Sequence, residues 1–495
     1  MTAAGRVLGA VCLAACGWGG WVTAGSAQGL ETSAAAAGPE WVVGSWAGAL
    51  ALPGNASLRM VAHLQLDEKG GLSATVDSPN QGVTGMPVAE VRFQEGTLTL
   101  ELTAIGARYV GTVGPEGALE GSWMQGGQSL PLRLERVEGD AVGPRRPQDP
   151  EPPFPYREEE VRYPNPEAGI HLAGTLTLPL GDGPFPAAVL VSGSGAQDRN
   201  SEVFGHRLFL VLADHLTRRG IAVLRSDDRG VGESEGVFAA ATSPDFADDA
   251  EAAVEWLRTH PGIDPGAVGI VGMSEGGAIA PMVAARSDAV AFIVLMAGTG
   301  LPGEEILYLQ GELMARAEGV PEEQIRWNRS LQERMFALVR EEADEARRAE
   351  RMAPVLREAL AELPEPTRSA MGLADEAARE GWIQGQIAGT SGPWLRFFLT
   401  HDPREVLREV RVPVLALNGE LDLQVPPAEN LREIEAALAE ADNPDVTVRE
   451  LPGLNHLFQT ARTGSPAEYG AIEETMSPVA MEAVARWILE RVGER

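Results

Sequence analysis

The chain has 495 residues, enough for more than one domain, and its 44% apolar composition is ordinary for a globular protein. Acidic side chains outnumber basic ones 71 to 40, a formal net charge of −31, which argues against nucleic acid as a partner because phosphates would be repelled. Lys69 is the sole lysine; a salty habitat and a base-composition bias both produce that pattern, and neither speaks to chemistry.

Residues 1–27 read as an export leader. Arg6 precedes an apolar run from Val7 to Ala24, then small residues Gly25-Ser26-Ala27. A second reading stands beside it: Leu13-Ala14-Ala15-Cys16 resembles a bacterial lipobox, with signal 1–15 and Cys16 as a lipidated first residue. The expected location is therefore exported, periplasmic or secreted, with membrane attachment only through Cys16. Both cysteines, Cys12 and Cys16, lie in this stretch, so the mature chain has no intramolecular disulfide.

After a small-residue spacer (Ala34 to Gly38), period-two alternation runs over 41–136. Leu58, Met60, Ala62, Leu64 and Leu66 set the pattern, as do Leu98, Leu100 and Leu102, then Leu130, Leu132 and Leu134. With Gly-bearing turns between them, these short strands predict a small antiparallel β barrel or sandwich. Gly44-Ser45-Trp46 is echoed by Gly121-Ser122-Trp123; the tryptophans either plug the barrel or bind a ligand. Residues 137–157 are proline-rich and charged, a linker or an extended strap across a surface.

From residue 158 to 495 strands and helices alternate. Strands are predicted at Glu159 to Tyr163, Ile170 to Leu178, Ala187 to Val191, Ile221 to Arg225, Val268 to Val271, Val290 to Met296, Val414 to Leu417 and Val446 to Leu451. Helices are predicted near Phe204 to Arg219, Pro244 to Arg258 (with Ser243 as N-cap), Pro427 to Ala439 and Pro478 to Val492. Strands apolar on both faces indicate a mostly parallel sheet covered on both sides, an α/β architecture. About 300–394 the alternation stops in favour of helices rich in Glu, Arg and Ala, placed where a lid could cover the edge of the sheet.

The predicted Val268 to Val271 strand feeds Gly272-Met273-Ser274-Glu275-Gly276, a G-x-S-x-G between strand and helix. That context makes it a nucleophile elbow, whose sharp turn needs small residues on both sides of Ser274. Serine needs a base. Of seven histidines, His63 falls in the β region, His171 in an early strand, His206 and His215 in a predicted helix, His260 at a helix end and His401 at the end of the lid. Only His456 lies in a loop after the last strand, on the edge where a parallel sheet gathers its loops. Asp422, after the Val414 to Leu417 strand, is the expected orienting acid, with Glu420 as competitor. The order Ser274, Asp422, His456 is the one expected of this kind of sheet. Two backbone N–H groups should bind the oxyanion: Glu275, directly after the nucleophile, and Ser194 in the loop Ser192 to Asn200. No metal or cofactor is expected. The acids of Asp227-Asp228-Arg229-Gly230 read as a structural turn with an internal ion pair.

The pieces VSGSGAQDRN, RSDDRGVGESEG, GIVGMSEGG, PVLALNGELDLQVPP and LPGLNHLF resemble the α/β-hydrolase superfamily. Within it they resemble exported bacterial esterases of the dienelactone-hydrolase-like and serine-aminopeptidase-like groups. The resemblance implies an eight-stranded sheet, a lid between strands six and seven, and an N-terminal β accessory module. Ser192 departs from the pattern, standing where many lipases carry histidine. The implied reaction is cleavage of a small-molecule carboxylic ester through an acyl-Ser274 intermediate. A peptidase or amidase with the same triad and a binding protein on a hydrolase scaffold are the alternatives. Trp394, Phe397 and Phe398, where the lid returns to the sheet, are expected to line the substrate pocket.

Overall fold

A computed structural model describes residues 39–492 apart from 52–56, 67–70, 79–82, 115–116, 126–127, 138–145 and 374. The expected leader, the Cys16 lipidation site, the Ala34 to Gly38 spacer and the start of the proline-rich linker lie outside the described residues.

After a 3-10 turn at Pro39–Val42 come β1 (Gly44–Ala51), β2 (Ser57–Leu66), β3 (Leu72–Ser78), β4 (Val83–Pro87), β5 (Glu90–Gln94), β6 (Thr97–Leu102), β7 (Ala107–Val113), β8 (Leu119–Gln125) and β9 (Gln128–Val137). They form one antiparallel nine-stranded sheet in the order β4-β3-β2-β1-β9-β8-β7-β6-β5. Its two edge strands, β4 and β5, are consecutive in the chain, so the sheet must curl back on itself. The two options of barrel and sandwich thus resolve into a single curled sheet. Leu98, Leu100 and Leu102 of β6 are buried while their neighbours are not, the alternation that two-residue pleating dictates. Trp46 and Trp123 are buried in this core, and their indole N–H groups donate to the Val42 carbonyl (2.7 Å) and to Gln125 Oε1 (3.1 Å). Their packing makes them plugs.

The described end of the linker is a strap. Arg146 donates to the carbonyls of Phe204, Gly205, Gly470 and Ile472. Gln148 Oε1 accepts from the N–H groups of Thr475 and Met476, and Asp149 pairs with Arg207.

The second sheet is built from β10 (Tyr156–Asn165), β11 (Ile170–Pro179), β12 (Phe185–Val191), β15 (Ala222–Ser226), β16 (Ile263–Met273), β17 (Ile293–Met296), β18 (Val414–Gly419) and β19 (Val446–Leu451). A short hairpin, β13 (Glu202–Val203) with β14 (His206–Arg207), precedes α1 (Leu208–Thr217). His206 therefore sits in the hairpin, not in the helix. The order β10-β11-β15-β12-β16-β17-β18-β19 makes eight strands, antiparallel at the β10 end and parallel from β15 onward. All seven residues of β16 from Ala267 to Met273 are buried, as a central strand with helices on both faces requires.

Helices α2 (Ser243–Thr259) and α3 (Glu275–Ala284) cover one region of the sheet. The N-cap of α2 is Thr242 rather than Ser243: the Asp245 carboxylate bonds back to the Thr242 N–H (2.8 Å) and hydroxyl (2.6 Å). Between β17 and β18, the sixth and seventh strands of this sheet, lie α4 (Gly303–Ala317), α5 (Glu322–Glu341), α6 (Glu345–Glu362), α7 (Glu365–Ala370), α8 (Glu376–Gly389), α9 (Pro393–Thr400) and α10 (Pro403–Leu407). This is the expected helical insertion, although its helices run on past the expected end near 394 to Leu407. Tyr308, Met335 and Phe336 pack its helices together in a core of its own. The chain ends with α11 (Pro427–Glu440), α12 (Pro466–Tyr469) and α13 (Pro478–Val492). Among the described residues no helix is long and apolar enough to cross a membrane.

Candidate active site

Strand register assembles the site. Val191, last residue of β12, is the register partner of Gly272 on β16. The Ser192 loop and the Ser274 turn therefore leave adjacent strands at the same level. Met273 in turn faces Met296 of β17, and Gly419 of β18 faces Leu451 of β19. The loops carrying Asp422 and His456 thus emerge on the same carboxyl edge, where α/β sheets place their ligands.

Ser274 has φ 55° and ψ −116°, a conformation that side chains other than glycine rarely adopt. Its N–H is held by the Met296 carbonyl at 2.8 Å. A side chain at Gly272 would collide with the Gly276 carbonyl, and one at Gly276 with the Val191 carbonyl. Both glycines are thus required by close backbone approach. A Cβ on Gly193 would lie 3.1 Å from Ser274 Cβ and 3.7 Å from its Oγ. The Ser192 loop therefore runs directly past the serine. Ser274 is half-buried, and its hydroxyl makes no hydrogen bond to a described residue; such bonds often tighten only with substrate in place.

His456 is buried, and its Nδ1 lies 2.8 Å from Asp422 Oδ2. The other oxygen, Oδ1, accepts the N–H groups of Gln424 (2.8 Å) and Val425 (2.9 Å). The carboxylate is thereby held at a fixed angle to the imidazole. Glu420 does not reach His456; its Oε2 accepts the Gly453 N–H at 2.8 Å. Asn455 stiffens the histidine loop, taking the N–H groups of Leu457 and Gln459 on its Oδ1 and donating to Gln459 Oε1. Gln459 in turn touches His206, whose ring also meets Thr475 and the Tyr469 carbonyl. Burial, helped by the nearby Arg146 charge, lowers the His206 pKa to about 4.

Glu275 opens α3, so its N–H is one of the helix-start groups with no intrahelical acceptor. Its side chain turns inward and is buried. Oε1 accepts the Ser243 hydroxyl at 2.6 Å and the Trp394 indole N–H at 2.7 Å, and the Ser194 hydroxyl lies close enough to favour its charge. Burial raises the Glu275 pKa against those three donors. Trp394 stacks on Phe398 at 5.1 Å between ring centres, and Phe398 packs with Leu301, Ile306 and Val425. Phe397 lies on another side of α9, stacked on His401 and facing a cleft with Arg340, Arg348 and Arg396.

Beneath the elbow a cavity of about 50 Å³ is lined by Ser192, Gly193, Asp228, Phe246, Glu275 and Ile279 among others. Asp228 takes the Ser192 hydroxyl (2.8 Å) on one oxygen and the Gln197 N–H (2.9 Å) on the other. Burial raises its pKa to about 7. The ion pair read as internal to this turn is not internal: Arg229 pairs with Asp245 and Asp249 of α2, and Asp227 with Arg199 of the Ser192 loop. The turn thus braces its neighbours. Sequence reasoning missed Ser243, placing it as a cap, although Thr242-x-x-Asp245 carried a capping-box signal; nothing local marked Asp228 as a support.

A second serine–histidine–aspartate line occurs in the curled sheet: Ser45 Oγ to His63 Nδ1 at 2.9 Å, and His63 Nε2 to Asp77 Oδ2 at 2.8 Å. Ser45 is paired on both sides, with His63 and with Val137. Its backbone belongs to the ladder, with no turn to free N–H groups for an oxyanion. It is a cross-strand polar network. Among the described residues no cluster of His, Cys, Asp and Glu is arranged to hold a metal.

The sheet order, the serine at a strained strand-to-helix turn and the inserted helices define an α/β hydrolase. The chain belongs to the X-Pro dipeptidyl-peptidase (S15) family, which matches it over residues 168–440. It is similar to esterase EstD of Thermotoga maritima, 25% identical over 327 residues, covering 64% of this chain and 66% of that protein. It is also similar to thiohydrolase aneE of Aspergillus aculeatus, 35% identical over 127 residues, 26% of this chain and 37% of the relative. The matches thus span less than two thirds of either relative's length. Among solved structures, the Pyrococcus furiosus esterase PF2001 matches with a TM-score of 0.41 and 15% identity, covering 72% of this chain and 96% of that one.

Proposed function

We propose that the protein is a serine esterase that cleaves small or short-acyl carboxylic esters through an acyl-Ser274 intermediate. The observation that carries this reading is the fixed His456–Asp422 pair on the sheet edge that presents the strained Ser274 turn. His456 Nε2 takes the Ser274 proton while Oγ attacks the ester carbonyl carbon. The tetrahedral oxyanion is received by the N–H groups of Glu275 and Ser194. His456 returns the proton to the departing alkoxide, and water then repeats the sequence to release the acid.

The peptidase reading, carried by the shared triad chemistry and by the S15 family, remains the runner-up. An exopeptidase usually needs a carboxylate free to anchor the substrate's amino terminus. The carboxylates of Glu275 and Asp228, which flank the elbow, are instead committed to Ser243, Trp394, Ser192 and Gln197. Neither of these two is therefore poised for that role. The name of EstD fits the ester reading. The test is turnover of short p-nitrophenyl esters beside aminoacyl-anilides. Hydrolysis of the anilides alone would replace the ester reading with the peptidase one.

We also propose export. Mature protein from the cell envelope should begin near Gln28 or carry lipid on Cys16, read by N-terminal sequencing and mass spectrometry; intact Met1 on cytoplasmic protein would refute it.

A further inference from the structure

Glu275 occupies an unusual position for a carboxylate: directly after the nucleophile, 3% exposed, with the neutral donors Ser243 and Trp394 as its hydrogen-bond partners. It bonds to two separate pieces of the fold: Ser243 begins α2, and Trp394 sits in the first turn of α9. Helix α9 also shares an apolar cluster with the acid loop, through Phe398 and Val425, whose N–H holds Asp422. The residue assigned an oxyanion N–H in the proposed mechanism is therefore the one whose side chain receives α9.

We propose that the Glu275 carboxylate is a positioning residue that couples the seating of α9 to the aim of the Glu275 N–H. The inference rests on the esterase reading and deepens it. Two hydrogen bonds on one oxygen fix the side chain. Backbone and side chain share one Cα, so fixing the side chain limits rocking of the first turn of α3. The 50 Å³ cavity beside it supplies room to move once a donor is lost. An oxyanion donor misplaced by part of an ångström loses transition-state stabilisation but little ground-state binding. The signature is thus a fall in kcat with KM held.

The full-length protein is assayed with p-nitrophenyl acetate, and Ser274 is titrated with a fluorophosphonate whose labelling rate reads the same oxyanion geometry. Trp394→Phe removes the N–H donor and leaves a smaller aromatic ring against Phe398. It should lower kcat per titrated site about tenfold with KM within about twofold, and lower the labelling rate in step. Glu275→Ala should lose about a hundredfold, whereas Glu275→Gln, which keeps an acceptor for both donors, should recover to within about threefold of wild type. A residue that merely packs would move the thermal midpoint and leave kcat per titrated site alone. Trp394→Phe with unchanged kcat and labelling overturns the proposal, as does a Glu275→Gln no better than Glu275→Ala. Wild-type protein that labels at Ser274 but cleaves no ester defeats the esterase reading, while the labelling rates still decide the coupling. Wild-type protein that does neither defeats both.

Discussion

The imidazole of His456 is held by Asp422 at 2.8 Å, across 34 residues of chain, because β18 and β19 are parallel neighbours that end level with each other. Glu420, two residues from Asp422, faces Gly453 instead. Asp422→Asn should therefore cost on the order of 10⁴ in kcat, by stabilising the wrong imidazole tautomer. Ser274→Ala should cost on the order of 10⁶, with His456→Ala close behind. Glu420→Gln should stay within a few-fold of wild type. Steady-state kinetics on a p-nitrophenyl ester measures all four, and a Glu420→Gln worse than Asp422→Asn would move the acid to Glu420.

Gly193 tests how closely the Ser192 loop passes the nucleophile. An added methyl would sit 3.1 Å from Ser274 Cβ, tighter than ordinary contact, so either the loop or the serine must shift. Gly193→Ala should reduce kcat by roughly 10- to 100-fold, through displacement of the neighbouring Ser194 N–H, with the thermal midpoint nearly unchanged. Wild-type kcat in a folded Gly193→Ala protein would remove Ser194 from the oxyanion role.

Asp228 gives a pH dependence of stability with a definite sign. Its folded pKa is raised to about 7 from an ordinary 3.8. Between those values the folded chain holds a proton that the unfolded chain has lost, so stability falls as pH rises through that window and levels off above it. His206 runs the other way. Its pKa is lowered to about 4 from 6.5, so its contribution falls as pH drops from about 6.5 towards 4. The two oppose each other, and the readout is the difference between wild type and Asp228→Asn. Asparagine keeps an acceptor for the Gln197 N–H and can donate to Ser192. The variant should gain stability relative to wild type at pH 8 and converge with it near pH 4, in urea titrations. No change in the difference with pH would show that Asp228 does not titrate in this window.

Arg146 ties the strap to four carbonyls on either side of the hairpin and the α12 region. Arg146→Ala leaves them without a charged donor and should cost on the order of 2 kcal/mol in urea unfolding. Because Gln148 and the 470–476 stretch support His206 and Gln459, and through them the histidine loop, kcat should also fall several-fold. An unchanged denaturation midpoint would reduce the strap to a passive connector.

The strands, the elbow and the loops bearing Asp422 and His456 were legible in the sequence because each is written locally. Apolar runs mark the strands of a doubly covered sheet, and Gly272 and Gly276 mark a turn too tight for any side chain. Chain direction in a parallel sheet sends the loops bearing the serine, acid and histidine to one edge. Side-chain partnership across elements was not legible. Asp422 and Glu420 carry the same chemistry two residues apart, and only the path of the turn after β18 decides that one meets His456 and the other Gly453. Trp394 was visible as an aromatic near the lid's return, yet its bond to Glu275 spans 119 residues. Ser45, His63 and Asp77 show the converse: three residues of triad chemistry brought together by strand register, with Ser45 paired in the ladder on both sides. Residue type and spacing determined which chemistry was present. Burial, the raised Asp228 pKa and the seating of α9 came only from tertiary structure, because desolvation and hydrogen-bond geometry depend on neighbours distant in the chain.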